Sequence, residues 1–214
     1  MSGGIDSTAV CSMLLEQGYR VEGLTFVTCD AGLRAAEEAA ALAARLGIPH
    51  HIADVRDEFR KLVIEPFIDA YLRGATPNPC VNCNPTVKFR LLEEWADRLG
   101  CRNIATGHYV KIKKSDSNGK KYYFIVTGDD HLKDQSYFLW RLTQRQLSRV
   151  MFPLGGWEKP DVIAYLKERG LQSAADGGES MEVCFIPGDY RDFLRANVPA
   201  IDARLGGGAF VDSA

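Results

Sequence analysis

The stretch Ser2-Gly3-Gly4-Ile5-Asp6-Ser7-Thr8 stands almost at the first residue and runs straight into the apolar segment 9–15. Two consecutive glycines let a backbone approach an anion in conformations closed to other residues. Three hydroxyls add donors, and a helix beginning here adds unsatisfied N–H groups, so the loop is suited to phosphate. Asp6 would repel bare phosphate, which points either to a magnesium ion or to a structural bond across the loop. The spacing is neither the dinucleotide fingerprint nor the Walker loop. Ordinary turns and caps also use Gly and Ser, but few combine a glycine pair with three hydroxyls and an acid.

Outward from the loop, strand and helix patterns alternate. Residues 21–27 suit a central parallel strand with Thr28-Cys29-Asp30 at its C-terminal end, where open α/β sheets place ligands. The alanine-rich segment 33–46 predicts a helix stopped by Gly47, and 48–55 a return to the sheet. His50 and His51 are adjacent in that strand and point to opposite faces, which makes them a poor metal site. A helix over 56–72 is expected to bend or divide near Pro66. The loop 74–85 holds three prolines and ends in Asn84-Pro85, a good cap and first residue for a helix over 85–99. Cys83 would then lie just ahead of a helix N-terminus, where a thiolate is favoured.

Residues 103–106 read as a further strand ending in Gly107-His108-Tyr109. Gly107 would permit close approach to a nucleotide, and His108 either orients a substrate or bonds within the core. Segments 110–113 and 121–127 alternate as hairpin arms around Asn118-Gly119. Lys111, Lys113, Lys114, Lys120 and Lys121 make this the most basic local patch, beside Tyr122 and Tyr123; it reads as a solvated tip or as a phosphate-backbone contact. A helix is expected to start in 133–140, with Lys133-Asp134-Gln135 left at a site, followed by helices over 144–150 and 159–169. The strand–helix order predicts an α/β protein, a parallel sheet flanked by helices, with a small C-terminal helical appendage.

The 214 residues are 46% hydrophobic and 25% charged, ordinary for a globular protein, and no apolar run is long enough to span a bilayer, so a cytoplasmic location is the default expectation. A formal charge of -2 argues against a wholly basic nucleic-acid module while leaving room for a local basic face. Phosphate loops normally leave a buried strand, and only Met1 precedes Ser2, so a first strand is expected to be missing. Residues 205–211 look like a turn entering another strand.

Six cysteines are too sparse for a disulfide scaffold. Cys80 and Cys83 share the i, i+3 spacing of redox dithiols, zinc knuckles and iron–sulfur ligands, without a second such pair for a four-thiolate zinc site. Cys184 is a lone cysteine in the glycine-bearing segment 176–186 and reads equally as structural or reactive. One chemistry uses both loop and cysteines: ATP activates a carbonyl oxygen, pyrophosphate leaves, sulfur attacks the activated carbon and AMP is expelled. Cys184 would carry a persulfide or resolve one on Cys83.

These features resemble the catalytic domain of the bacterial tRNA-specific 2-thiouridylases, in the PP-loop ATP pyrophosphatase superfamily with its adenine-nucleotide alpha-hydrolase-like fold. The residues carrying the likeness run in order: Ser2 to Ser7, Thr76-Pro77-Asn78-Pro79, Cys83-Asn84, Lys88-Phe89, Ala105 to Tyr109, Lys133 to Leu139, and Cys184-Phe185-Ile186. The resemblance implies 2-thiolation of the wobble uridine, U34, in tRNAs for Lys, Glu and Gln, using ATP and Mg2+. It implies that Ser2, Gly3, Gly4, Ile5, Asp6 and Ser7 bind ATP, with Phe26 and Gly107 at its border. It assigns Cys83 as nucleophile, Cys184 as second catalytic cysteine, Asn78, Pro79 and position 80 to the target base, and Lys133, Asp134 and Gln135 to tRNA. A cysteine desulfurase or sulfur-relay protein would supply sulfur. Cys80 stands where the family motif has Asp, which raises the expectation that Cys80, Cys83 and Cys184 ligate a [4Fe–4S] cluster with one open iron.

The implied organisation is a nucleotide-binding catalytic part over 1–128 without its first strand, a tRNA-facing helical part over 129–195 carrying Cys184, and a linker or following domain from 196 to 214. Two alternatives stay open: a related sulfurtransferase acting on another tRNA position or a small metabolite, and a non-enzymatic thiol- or metal-binding module.

Overall fold

A computed structural model describes residues 1–171, 183–186, 188–199 and 201. The chain divides into two compact units, Met1–Gly178 and Glu179–Ala214. In the first, α1 (Ile5–Glu16) leads to β1 (Gly23–Val27), α2 (Gly32–Leu46) and β2 (His50–Asp54), with β1 and β2 parallel and Gly23 opposite His50. A second parallel pair joins β3 (Ile104–Ala105) to β6 (Val150–Met151). Parallel strands joined through helices are the α/β architecture that the alternating pattern predicts. Between them β4 (Val110–Ser117) and β5 (Lys120–Thr127) form an antiparallel hairpin. Its turn residues Asn118 and Gly119 both have positive φ, 53° and 73°, the conformation a two-residue hairpin loop demands.

α1 is buried on nearly every side, which suits a helix apolar through most of its length. Ile5, Val10 and Leu14 pack with Leu154 and with Val162 and Leu166 of α6 (Lys159–Glu168). A second core gathers Phe89, Val110, Leu139, Leu147 and Val150, bringing the hairpin base against α4, the helical run 79–98. α5 (Gln144–Arg149) begins in a full capping box, Thr143 to Gln146. The second unit contains α7 (Tyr190–Asn197), capped by the Asp189 side chain.

Two helical runs contain wide π-turns, each beside a proline. In α3, the run 56–72, the wide turn Arg60–Ile64 precedes Pro66; in α4, Asn84–Lys88 contains Pro85. Proline has no N–H to give the carbonyl four residues back and crowds it, so the helix loosens there rather than ending. The bend expected near Pro66 thus takes the form of a widened turn. The expected start at Asn84-Pro85 is corrected: the helix begins one motif earlier, with Asn78 Oδ1 accepting from the Cys80 N–H and Pro79 as first residue. Nor does 133–140 form a helix of any length. A single 3-10 turn, Ser136–Phe138, leaves Tyr137 and Trp140 exposed while Leu139 is fully buried. Residues 176–182 and 205–211 lie outside the described residues.

Candidate active site

The glycine-rich loop crosses onto α1 with Gly3 at φ 76° and Gly4 as N-cap, and no side chain caps the helix start. Ser7 Oγ donates to the Gly4 carbonyl (3.1 Å) and accepts from the Ser2 N–H (3.1 Å), with the Ser2 hydroxyl 3.2 Å away. Thr8 Oγ1 donates to the same carbonyl at 2.9 Å. The hydroxyls therefore hold the loop's shape while the first amides of a twelve-residue helix stay available to an anion. Phe26 is half-buried on β1.

Asp6 takes the structural alternative. Its Oδ1 accepts from Lys159 Nζ at 2.7 Å and from the Tyr109 hydroxyl at 2.8 Å. Only 10% of the Lys159 side chain is exposed, and its backbone N–H donates to Asp130 Oδ2 at 3.0 Å. Asp130 also accepts from the N–H groups of Leu132 and Lys133, and these backbone bonds, led by that from Lys159, hold its carboxyl below the usual range. One lysine thus neutralises the loop's acid and anchors the turn leading to residue 133. Sequence reasoning missed Lys159, Tyr109 and Asp130 in this role.

Gly107 serves the same junction. A Cβ there would stand 2.8 Å from Asp6 Cβ and 3.1 Å from the Asp6 carbonyl carbon, so the residue admits the start of α1. His108 resolves to the core: its Nδ1 lies 2.7 Å from Thr106 Oγ1, and its ring rests near Phe89 and Phe152. Burial, with a smaller push from Lys88, keeps it neutral far below the ordinary histidine value. His50 contacts Thr25 and His51 contacts Glu22, two separate polar pairs.

The cysteines at 80 and 83 sit in the first turns of α4, not ahead of it. Cys80 holds the capped amide, but burial raises its thiol pKa and Lys88 offsets this only in part. Asn82 and Asn84 brace this turn. Asn82 Nδ2 donates at 2.9 Å to the Leu62 carbonyl, the acceptor that Pro66 cannot serve. Asn84 is buried and donates to the Cys80 and Phe138 carbonyls, at 2.9 and 3.4 Å. Its Oδ1 has no donor among the described residues.

Asp134 and Gln135 are turned to the protein. Asp134 accepts from the Gly128 N–H and the Ser136 hydroxyl; Gln135 Oε1 accepts from the Tyr109 N–H, and the Gln135 N–H donates to the Tyr109 carbonyl. A continuous bonded path results: Asp6 to Tyr109, Tyr109 to Gln135, along the chain to Phe138, and through Asn84 to Cys80. The glycine-rich loop and the cysteine turn are held by one scaffold.

Among the described residues, no group of three or more His, Cys, Asp and Glu is arranged to hold a metal ion. Cys184 is exposed in the second unit, whereas Cys80 and Cys83 are partly buried in the first. Asp6 spends one oxygen on two internal donors, which fits a structural bond better than a cation ligand. An open groove of about 760 Å³ lies elsewhere, against Met13, Trp157 and Tyr165. No helix among the described residues is long and apolar enough to cross a membrane.

Residues 1–188 match the family described as tRNA methyl transferase HUP domain. A tRNA-specific 2-thiouridylase MnmA 3 of Phocaeicola vulgatus is 53% identical over 223 residues, spanning all of this chain and 58% of that protein. Its namesake in Bacteroides fragilis is 55% identical over 213 residues, again all of this chain and 57% of the relative. A tRNA-specific 2-thiouridylase MnmA of Syntrophomonas wolfei is 48% identical over 198 residues, covering 92% of this chain and 57% of that protein. The chain spans less than three fifths of the length of these curated relatives.

Proposed function

Because the chain belongs to the tRNA methyl transferase HUP domain family, we propose that it carries the catalytic part of an ATP-dependent tRNA 2-thiouridylase. The observation that carries this reading is the bonded scaffold from Asp6 through Tyr109 and Gln135 to Asn84 and Cys80. It ties an anion-binding helix start to a cysteine turn, the two instruments that replacing oxygen by sulfur requires. Methyl transfer, which the family description mentions, needs no cysteine pair, and the named relatives are thiouridylases.

ATP lies with its phosphates at the amides opening α1, supported by Ser2 to Ser7 and bordered by Phe26 and Gly107; Mg2+ accompanies the nucleotide. The uridine O2 of a tRNA attacks the α-phosphate and pyrophosphate leaves. The terminal sulfur of a persulfide on Cys184, supplied by a desulfurase or a relay protein, adds to C2 and AMP departs with the former O2. The Cys83 thiolate then attacks the sulfur–sulfur bond, leaving the thiocarbonyl on the base and a Cys83–Cys184 disulfide for a thiol reductant to reopen. Asn78, Pro79 and Cys80 adjoin the target base, and U34 of the tRNAs for Lys, Glu and Gln is the proposed site. Lys133, Asp134 and Gln135 act on tRNA by shaping the segment that precedes exposed Tyr137. Mass spectrometry of tRNA nucleosides from cells lacking the gene tests the substrate: loss of 2-thiouridine is expected, and an unchanged amount refutes it.

A further inference from the structure

The hairpin β4–β5 is not used by the chemistry above, yet its two faces differ sharply. Register puts Val110, Ile112, Lys114 and Asp116 on one face, opposite Thr127, Ile125, Tyr123 and Lys121. Ile112, Tyr123 and Ile125 of that face pack against the core, and Gln144 pins the Tyr123 backbone with bonds of 2.9 and 2.7 Å. The other face pairs Lys111 with Val126, Lys113 with Phe124, Ser115 with Tyr122 and Ser117 with Lys120.

On this outer face Phe124 is 49% exposed and Lys120 Nζ stands 5.6 Å from the Tyr122 ring centre. Lys111 is paired with Asp129. Lys113 and Lys120 are exposed, and no carboxylate among the described residues lies within ion-pair distance of either. Cations alternating with open aromatic rings suit a ligand that offers phosphates and stacking bases together. An acidic protein surface would satisfy the lysines and leave Phe124 and Tyr122 without a matching partner. Eight residues per arm extend roughly 24 Å at about 3.4 Å each. The arm starts at Val110, next to Tyr109, whose hydroxyl holds Asp6. Such a reach from the site floor suits a macromolecule rather than a small metabolite.

We infer that the outer face of the hairpin, through Lys113, Lys120, Tyr122 and Phe124, is a docking surface for RNA, engaging phosphates and an unpaired base of the substrate. This rests on the tRNA reading above and adds a contact region outside the residues assigned there. The test measures binding of an unmodified tRNA transcript to the intact chain by fluorescence anisotropy from roughly 50 to 300 mM KCl, a range in which counterion release is readable. Replacing both outer lysines, Lys113→Gln with Lys120→Gln, is expected to lower the slope of log affinity against log salt by roughly 1.4–1.8, the share of two phosphate contacts. The charge-matched pair Lys114→Gln with Lys121→Gln, on the inner face, is expected to change it by less than half as much. Equal slopes for the two variants, or an outer-face variant like wild type, overturn the inference.

Acylation footprinting of the wild type needs no variant. RNA is expected to protect Lys113 and Lys120 more than Lys114 and Lys121, and equal protection overturns the surface. Formation of 2-thiouridine by the wild type is scored separately. A thiolating protein whose outer lysines do not matter defeats the hairpin alone, whereas a hairpin-dependent binder that makes no 2-thiouridine defeats only the chemical reading.

Discussion

Lys159→Met isolates the contact on which the phosphate loop depends. The ammonium sits 2.7 Å from Asp6 Oδ1, its side chain 10% exposed and that of Asp6 35% exposed. A fully buried pair broken on one side costs about 3–5 kcal/mol and an exposed pair about 0–1, so this intermediate case is expected to cost about 2 kcal/mol. For a unit of this size that lowers the melting midpoint by about 4–8 °C. The substitution also leaves a carboxylate facing bound phosphate. A unit charge roughly 6 Å away at an effective dielectric of about 40 opposes binding by about 1.4 kcal/mol, near tenfold in Kd. The assay is a double-mutant cycle with Asp6→Asn, read by urea unfolding and ATP titration. The pair should show a coupling of about 1.5–2 kcal/mol, and Asp6→Asn should recover much of the ATP affinity lost in Lys159→Met. A coupling below about 0.5 kcal/mol, or ATP binding indifferent to Lys159, would refute the reasoning.

Three further outcomes follow from the same geometry. Gly107→Ala places a methyl 2.8 Å from Asp6 Cβ and is expected to destabilise by about 1–3 kcal/mol with weaker ATP binding, measured by denaturant titration and calorimetry; an unchanged midpoint contradicts it. Asn82→Ala removes the side-chain donor to the Leu62 carbonyl and should cost about 1–3 kcal/mol, less in a Pro66→Ala background where an N–H returns; equal costs in both backgrounds would disprove the link. Burial depresses the His108 pKa, so the unfolded chain binds the proton first. Its contribution is complete above the unfolded value, about 6.5, and is lost as pH falls below it towards the folded value. Urea midpoints should therefore drop from pH 7 to pH 5, less steeply in His108→Asn; an identical pH slope would count against the buried neutral ring.

Much of the fold was legible because its signals are local. The Asn118-Gly119 turn, the irregularity of the helix near Pro66 and the helix stopped at Gly47 each depend on a few neighbouring residues. The start of α4 was not, because Asn78-Pro79 and Asn84-Pro85 carry the same capping signal. What separates them is where each side chain goes: Asn78 Oδ1 accepts from the Cys80 N–H, while the buried Asn84 amide donates back to the Cys80 carbonyl at 2.9 Å and to the distant Phe138 carbonyl at 3.4 Å. The site divides the same way. The loop and the cysteine turn announce themselves by composition. Lys159 lies 153 residues from Asp6 in a helix that reads as ordinarily amphipathic, so nothing local marks it. The two readings of Asp6 required the structure for the same reason, and Gly107 proved to be needed for the close approach of the Asp6 backbone. Lys133-Asp134-Gln135 looked like a polar head offered to a partner, yet the carboxylate and amide are spent on Gly128, Ser136 and Tyr109.

The central claim is that ATP activates the very oxygen that sulfur replaces. A tRNA transcript carrying 18O at O2 of the target uridine, incubated with the purified protein, ATP and a persulfide donor, tests it directly. The account predicts AMP bearing the 18O in step with 2-thiouridine formation. AMP without the label, alongside 2-thiouridine, would contradict it.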